Sequence, residues 1–82
     1  MSLRQVIVEI PEKILITEKK TEKDFAIEMR ILTAVKLFEM GRLSSGAAAE
    51  LANMSTIEFL TNLGNYKVFP FTSELEELES NA

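Results

Sequence analysis

The clearest pattern of apolar and polar positions is a pair of short amphipathic segments in the second half of the chain. Ser44 is suited to cap the first segment, because its hydroxyl can accept a hydrogen bond from a backbone N–H of the first helical turn. The apolar positions Ala48, Leu51 and Ala52 then fall on one helical face. Asn53 is suited to end this helix, since asparagine tolerates the left-handed conformation. The pattern predicts a short amphipathic helix.

A second short helix is predicted to begin at Ser55. Glu58 follows three residues later, which is the reciprocal capping-box spacing, and Gly64 is suited to stop the helix. The expected inward-facing residues are apolar: Ile57, Leu60, Phe59 and Leu63. A connection of only two residues makes two short helices cross steeply, so we predict a helix-turn-helix over residues 43–65. The alternative is that the two capped helices simply pack together, as in many small helical proteins.

The beginning of the chain has a different periodicity. Residues 4–10 are rich in β-branched side chains and place Val6, Val8 and Ile10 on one face, so they predict a strand. Pro11 limits this strand because proline cannot donate a ladder hydrogen bond. Residues 12–16 are compatible with either one helical turn or a short extended piece.

A long helix is predicted over residues 22–40. Thr21 is a candidate cap with Asp24 three residues later, and Gly41 is suited to the position just after the helix. Two lines of largely apolar positions run along it: Phe25, Met29, Leu32 and Lys36, and Ile27, Ile31, Ala34, Leu37 and Phe38. Because this apolar surface is wide, we expect a dimer formed through the long helix. The alternative is that the strand and the C-terminal segment cover it within one subunit.

The C-terminal part changes character after Gly64. Residues 66–71 combine aromatic and β-branched side chains around a proline, which suggests an edge strand or an extended arm. Such a segment could pair with residues 4–10 or lie across another protein as an added strand. Ser73 and Glu76 form a further capping-box pattern. We divide the chain into a strand plus helical domain, residues 1–67, and a partner-binding arm, residues 68–82.

The arm combines apolar anchors with acidic side chains. The residues expected to bind a partner are Val68, Phe69, Phe71, Leu75, Leu78, Glu76 and Glu77. A frayed tail that contacts its own core is the alternative, because so short a helix is marginal in isolation. The predicted fold is therefore mainly α, with a short N-terminal strand, a long helix, a helix-turn-helix and an extended acidic C-terminal arm.

Composition narrows the possible functions. The chain has 82 residues, enough for one domain at most, and a core of this size favours oligomerisation or a bound partner. It has no cysteine and no histidine, which excludes disulfides, thiolate chemistry, histidine general-base catalysis and the usual zinc sites. We therefore expect neither an enzyme nor a cofactor. No apolar run approaches the roughly 20 residues of a membrane span, so we expect a cytoplasmic protein with no membrane partner.

Charge limits the DNA-binding hypothesis. Residues 1–67 carry nine basic and nine acidic side chains, so the net charge of −4 comes from four glutamates in residues 74–79. The expected recognition helix contains no lysine or arginine, although phosphate contacts usually come from these residues. The candidate DNA contacts, to base edges or to phosphates, are Arg42, Thr56, Thr61, Asn62, Asn65 and Lys67. A dimer would favour a palindromic site.

A ribbon-helix-helix dimer is a second possible DNA-binding geometry. Such dimers pair N-terminal strands across a two-fold axis, and Arg4, Gln5 and Glu9 would then face the DNA. We rank this geometry lower because the predicted helix is longer than that fold normally uses and Ile7 would lie in the groove among polar neighbours.

Several of these features resemble the UPF0175 family of small prokaryotic antitoxin-like proteins. The family pattern, close to Leu-Ser-x-Gly-x-Ala-Ala-Glu-Leu-Ala, matches eight residues here: Leu43, Ser44, Gly46, Ala48, Ala49, Glu50, Leu51 and Ala52. The similarity extends to the N-terminal β-type segment ending in Ile-Pro, to the long helix ending in a Leu-Phe-Glu-x-Gly-Arg-Leu run, and to the short acidic tail. Two departures are Ala47, where lysine is frequent, and Asn53, where glycine is frequent. The missing lysine removes one candidate phosphate contact.

The resemblance implies an antitoxin-like role. We expect the chain to bind a cognate toxin through its arm and to repress its own operon by binding operator DNA through the helix-turn-helix. The alternative is a protein-interaction module that does not bind DNA. In that case the acidic arm would cover a basic, nucleic-acid-binding surface of the partner and mimic the charge of its substrate.

Overall fold

The computed structural model describes residues 2–66. The elements, in chain order, are α1 (Glu12–Glu18), α2 (Glu22–Glu39), α3 (Ser45–Leu51), α4 (Thr56–Asn62) and a final 3-10 turn (Leu63–Tyr66). The prediction of a mainly helical protein is confirmed for this part of the chain. Lys67 and the predicted arm, residues 68–82, lie outside the described residues.

The predicted N-terminal strand is not present in the single chain. Residues 2–11 have no regular secondary structure, and no strand occurs within residues 2–66. A strand is stabilised by backbone hydrogen bonds to a neighbouring strand. Within the described residues, the backbone groups of residues 2–10 form no such bonds. The apolar alternation is present in the sequence, but residues 2–66 contain no second strand with which it could pair.

Helix α1 resolves the ambiguity of residues 12–16 in favour of a helix. Pro11 precedes its first turn, and the backbone N–H of Ile14 donates to the Pro11 carbonyl at 3.0 Å. Lys19 ends the helix in the left-handed conformation, with φ of 56°. None of its side chains is buried, so α1 receives little stabilisation from packing against the rest of residues 2–66.

Helix α2 begins and ends at predicted residues. The Thr21 hydroxyl accepts a hydrogen bond from the Asp24 backbone N–H at 3.1 Å. At the other end Gly41, with φ of +75°, donates to the Phe38 carbonyl and Arg42 donates to the Leu37 carbonyl, which is the Schellman arrangement. The prediction of a helix over residues 22–40 is therefore confirmed to within one residue.

An ion pair fixes the turn before α2. The Lys20 ammonium lies 2.8 Å from the carboxylate of Glu28, which lies in the second turn of α2. The hydrogen bond to Glu28, and then the carboxylate charge, raise the pKa of Lys20 above its usual value. Lys20 therefore stays charged at neutral pH.

The hydrophobic core lies between the C-terminal half of α2 and the helices that follow. Its largest side chains are Phe38, Phe59 and Leu63, and the Phe38 and Phe59 rings meet edge to face with centroids 5.6 Å apart. The remaining buried side chains are smaller: Ala34, Val35, Ala48, Ala49 and Ala52. Alanine permits close approach of the helix backbones around the two aromatic rings.

The core covers only part of α2. Phe38 and Ala34 are buried, but Ile27 and Leu32, on the predicted apolar lines, are exposed. The wide apolar surface is therefore incompletely covered by residues 2–66, and dimerisation remains a prediction.

Of the helices in this part of the chain, none combines the length and the apolar character needed to cross a membrane.

Candidate functional site

The candidate site is the α3–α4 unit, defined as residues 44–62. The Ser44 hydroxyl accepts from the Ala47 backbone N–H at 3.2 Å, so the predicted cap of α3 is confirmed. Asn53 adopts the predicted left-handed conformation, with φ of 58°. The N–H groups of Asn53 and Met54 donate to the carbonyls of Glu50 and Ala49, which completes a Schellman motif. The chain is thereby turned sharply out of α3.

Helix α4 begins with a complete capping box. The Ser55 hydroxyl accepts from the Glu58 backbone N–H, and the Glu58 carboxylate accepts from the Ser55 backbone N–H, both at 3.1 Å. This reciprocal pair satisfies two backbone donors at the helix start and sets where α4 begins. It also occupies the Glu58 carboxylate, as the sequence predicts.

Contacts with α2 hold the unit in place. Helix α3 packs against both α2 and α4, and Ala48 and Ala49 are buried there. The Arg30 guanidinium of α2 donates from Nε to the Leu51 carbonyl at 2.8 Å, which satisfies one of the free carbonyls at the end of α3. A cation at a helix C-terminus is also favoured by the helix dipole.

The outward face of α4 differs from the prediction. Phe59 and Leu63 are buried and Leu60 is half-buried, but Ile57 is 78% exposed, so the prediction that Ile57 faces inward is wrong. At about 100° per residue, Ile57 and Thr61 lie roughly opposite Phe59 on the helix. Phe59 and Leu63 are four residues apart and therefore lie on one face of α4. If that face is taken as the inward one, the sequence already places Ile57 on the surface.

The polar candidates on α4 and on the 3-10 turn that follows it fall into two groups. Thr56 and Thr61 are exposed and form no side-chain hydrogen bond within residues 2–66. The Asn62 amide donates to the Glu58 carbonyl at 2.7 Å, and the Asn65 amide donates to the Asn62 side-chain oxygen at 3.1 Å. The two asparagines therefore stabilise the end of α4, and contacts with a ligand would compete with these bonds.

The basic candidates lie at the edge of the unit or beyond it. Arg42 is exposed in the connection between α2 and α3, and Lys67 lies outside the described residues. Helix α4 contains no lysine or arginine, and residues 42–66 contain one arginine against two glutamates, Glu50 and Glu58. The exposed surface of the α3–α4 unit therefore carries hydroxyl and apolar groups but little positive charge. Within residues 2–66, no group of three or more acidic side chains is placed to hold a metal ion.

Comparison with known proteins places this chain in a family. The sequence model of UPF0175, described as an uncharacterised protein family, matches residues 1–82. A UPF0175 protein of Archaeoglobus fulgidus is 39% identical over 66 residues, covering 80% of this chain and 75% of that protein. A UPF0175 protein of Aeropyrum pernix is 31% identical over 78 residues, covering 95% and 82%. No solved structure shows a significant match. Because the match spans the whole sequence, this chain belongs to the UPF0175 family.

Proposed function

We propose that this protein is an antitoxin-like regulator that binds its operator DNA through the α3–α4 unit and a cognate toxin through residues 68–82. The DNA-binding part of the proposal rests on the exposed outer face of α4. Helices α3 and α4 each have a side-chain cap at their start, and a tight turn joins them. A helix-turn-helix places a short helix of this kind, with its outer face exposed, in the major groove of DNA.

The side chains on this face suit direct contact with bases. The hydroxyls of Thr56 and Thr61 can donate or accept, so they can pair with several base edges. Ile57 lies on the same outer face and would contact a thymine methyl group, which is an apolar recognition contact. Arg42 and Lys67 are the candidate phosphate contacts. With so few cations, we expect modest affinity and a shallow dependence on salt.

A single substitution tests the assignment of α4. Replacing Thr61 by alanine removes an exposed hydroxyl without touching the core, and we expect operator affinity to fall on the order of tenfold because a base contact is lost. Fluorescence anisotropy at fixed salt, with the DNA upstream of the gene, measures the change.

The matched control is Thr17→Ala in α1. The Thr17 hydroxyl is exposed but bonds only to the Lys13 carbonyl within the described residues, so operator affinity should stay unchanged. The test uses DNA that the unsubstituted protein binds specifically. If Thr61→Ala bound this DNA with the same affinity as the unsubstituted protein, the proposal that α4 contacts the bases would be wrong.

Toxin binding is assigned to the C-terminal segment on sequence grounds. Residues 68–82 carry the apolar anchors and all four glutamates that give the chain its net negative charge. Four carboxylates beside aromatic side chains suit a basic surface, such as that of a nuclease that binds nucleic acid. The core residues within 2–66 extend as far as Leu63, and we expect the helical domain to fold without residues 68–82.

Deletion of residues 68–82 tests the assignment of the arm. We expect the truncated protein to keep its helical circular dichroism and to lose binding to the toxin encoded beside it, as measured by calorimetry. Retained toxin affinity in the folded truncated protein would contradict the proposal. The proposed role of α4 in DNA binding does not depend on this outcome.

A second candidate function is a pure interaction module that neutralises a partner and does not bind DNA. The observation that favours it is the negative balance of residues 42–66 together with the absence of lysine and arginine from α4. Phosphate neutralisation supplies essentially all of nonspecific DNA affinity, so a surface without cations is a poor DNA ligand. In this case the α3–α4 unit would serve as a scaffold for the acidic arm.

A further inference from the structure

The exposed apolar side chains are concentrated in the first half of the chain. Eight of the ten large hydrophobic residues that the described part of the chain exposes lie within residues 3–32. They are Leu3, Val6, Ile7, Val8, Ile14, Ile16, Ile27 and Leu32. Large exposed apolar patches are rare on soluble monomers and mark interaction sites where they occur. The clustering indicates a surface that is covered in the working protein.

A groove runs between the N-terminal segment, residues 2–10, and the helices. Its volume is about 830 Å³. Val6, Val8 and Ile10 line one side, and apolar residues of α1 and α2, including Leu15 and Met29, line the other. Val6 and Val8 remain 84% and 57% exposed, so the groove is open and its walls do not close on each other.

The N-terminal segment has the apolar alternation of a strand in its sequence, with Val6, Val8 and Ile10 on one face. In the structure these three residues and Glu9 line the groove, while Ile7 is 92% exposed. The period of two in the sequence is the periodicity of β structure. Within residues 2–66 its backbone N–H and C=O groups form no hydrogen bonds. The backbone of this segment is therefore unpaired within the described residues, and unpaired backbone with a strand-like sequence is a template for pairing with another chain.

We propose that the neighbour is the same segment of a second copy, paired antiparallel about a two-fold axis near Ile7. In a two-fold antiparallel pair, opposed residues point to the same face, and residues equally distant from the axis oppose each other. Val6 then lies opposite Val8 of the second copy, and Gln5 lies opposite Glu9 of the second copy. The valine pairs cover both grooves, and the Gln5 amide can donate to the opposing carboxylate.

Charge and symmetry favour a second copy over other occupants. The segment contains one cation and one anion, Arg4 and Glu9, so two copies meet without net repulsion. When the two copies pair about Ile7, Glu9 lies opposite Gln5 of the second copy, and Arg4 lies opposite Ile10 of the second copy. No like charges are therefore directly opposite each other. It also aligns residues 4–10 of both chains over their full length.

Oligomeric state provides the first test, and it involves neither DNA nor toxin. Light scattering of the full chain should give twice the chain mass of 9.2 kDa. The double variant Val6→Lys/Val8→Lys should be monomeric and should keep the helical circular dichroism of the core, because both side chains lie outside that core. The control Ile57→Lys changes an equally exposed residue on α4 and should remain dimeric. A monomeric unsubstituted protein, or a dimer that survives the double variant, would overturn the proposal.

A cysteine cross-link tests the pairing itself. The chain has no cysteine, so Ile7→Cys introduces a single thiol. Opposed residues of an antiparallel pair have Cα atoms about 4.5–5.5 Å apart, within the range of about 4.4–6.8 Å that a disulfide spans. We expect mild oxidation to link Ile7→Cys into a covalent dimer and to leave the α1 variant Ile16→Cys mostly unlinked. A dimer in which Ile7→Cys links no better than Ile16→Cys would rule out this ribbon. Pairing with residues 66–71 of the same chain would instead give a monomer without cross-links.

Discussion

Replacing Phe38 by alanine is expected to remove most of the protein's free energy of unfolding. Phe38 is fully buried and packs edge to face with Phe59, so its ring joins α2 to α4. Removing a buried phenylalanine costs about 3–5 kcal/mol, through lost transfer free energy and the cavity that remains. A domain of this size has a free energy of unfolding at the low end of about 5–15 kcal/mol. Urea denaturation followed by circular dichroism would measure the loss.

The matched control for Phe38 lies on the same helix. Leu32→Ala also shortens a large apolar side chain of α2, but Leu32 is exposed in the single chain, so we expect a loss below about 1 kcal/mol. If Phe38→Ala destabilised the protein no more than Leu32→Ala, the aromatic pair would not be the centre of the core. The control should be measured at a concentration where the unsubstituted protein and the variant have the same oligomeric state.

The second large effect is expected from enlarging a buried alanine. Ala48 is fully buried in α3, which packs against α2 and α4, so a leucine there has no space. Overpacking of this kind costs typically 1–3 kcal/mol because side chains and backbones must shift. Since α3 supports α4, Ala48→Leu should also disturb the outer face of α4. Urea denaturation measures the first effect and operator affinity the second.

The neighbouring alanine gives a control that differs only in burial. Ala47 is exposed on the same helix, so Ala47→Leu should change the free energy of unfolding by no more than about 0.5 kcal/mol. Equal stability of Ala48→Leu and Ala47→Leu would show that α3 does not approach its neighbours as closely as described.

The ends of the helices could be predicted from the sequence more accurately than the packing of the helices against each other. Thr21, Ser44 and Ser55 all cap the helices assigned to them, because a cap depends on residues within one turn of each other. Gly41 and Asn53 adopt positive φ for the same local reason. Interactions of this range are encoded in short stretches of sequence and can be read without knowing the rest of the fold.

Predictions that depend on distant contacts were less successful. The strand over residues 4–10 needs a neighbouring strand, and residues 2–66 contain none. Ile57 was assigned to the core because it is apolar, but the direction of α4 is set by Phe59 packing on Phe38, which places Ile57 outside. Which apolar residues reach the core depends on how helices meet, and a single sequence does not specify that.

The residues proposed to contact DNA differ in how available their side chains are. Thr56 and Thr61 are exposed as expected, whereas Asn62 and Asn65 hydrogen-bond within the chain. Asparagine near a helix end is suited to both uses, since its amide can bond to nearby backbone as well as to a ligand. The sequence alone does not decide between these two uses. The hydrogen bonds of the two asparagines follow from the geometry at the end of α4.

DNA binding by the α3–α4 unit is best measured as the affinity of the purified protein for the DNA upstream of its own gene, compared with its affinity for a shuffled fragment at several salt concentrations. We expect binding to the upstream DNA to be at least about a thousandfold tighter than binding to the shuffled fragment. We also expect a shallow salt dependence, because few cations face the DNA. Equal affinity for the two fragments, or no binding to either with or without the neighbouring toxin, would contradict the claim that the α3–α4 unit reads DNA.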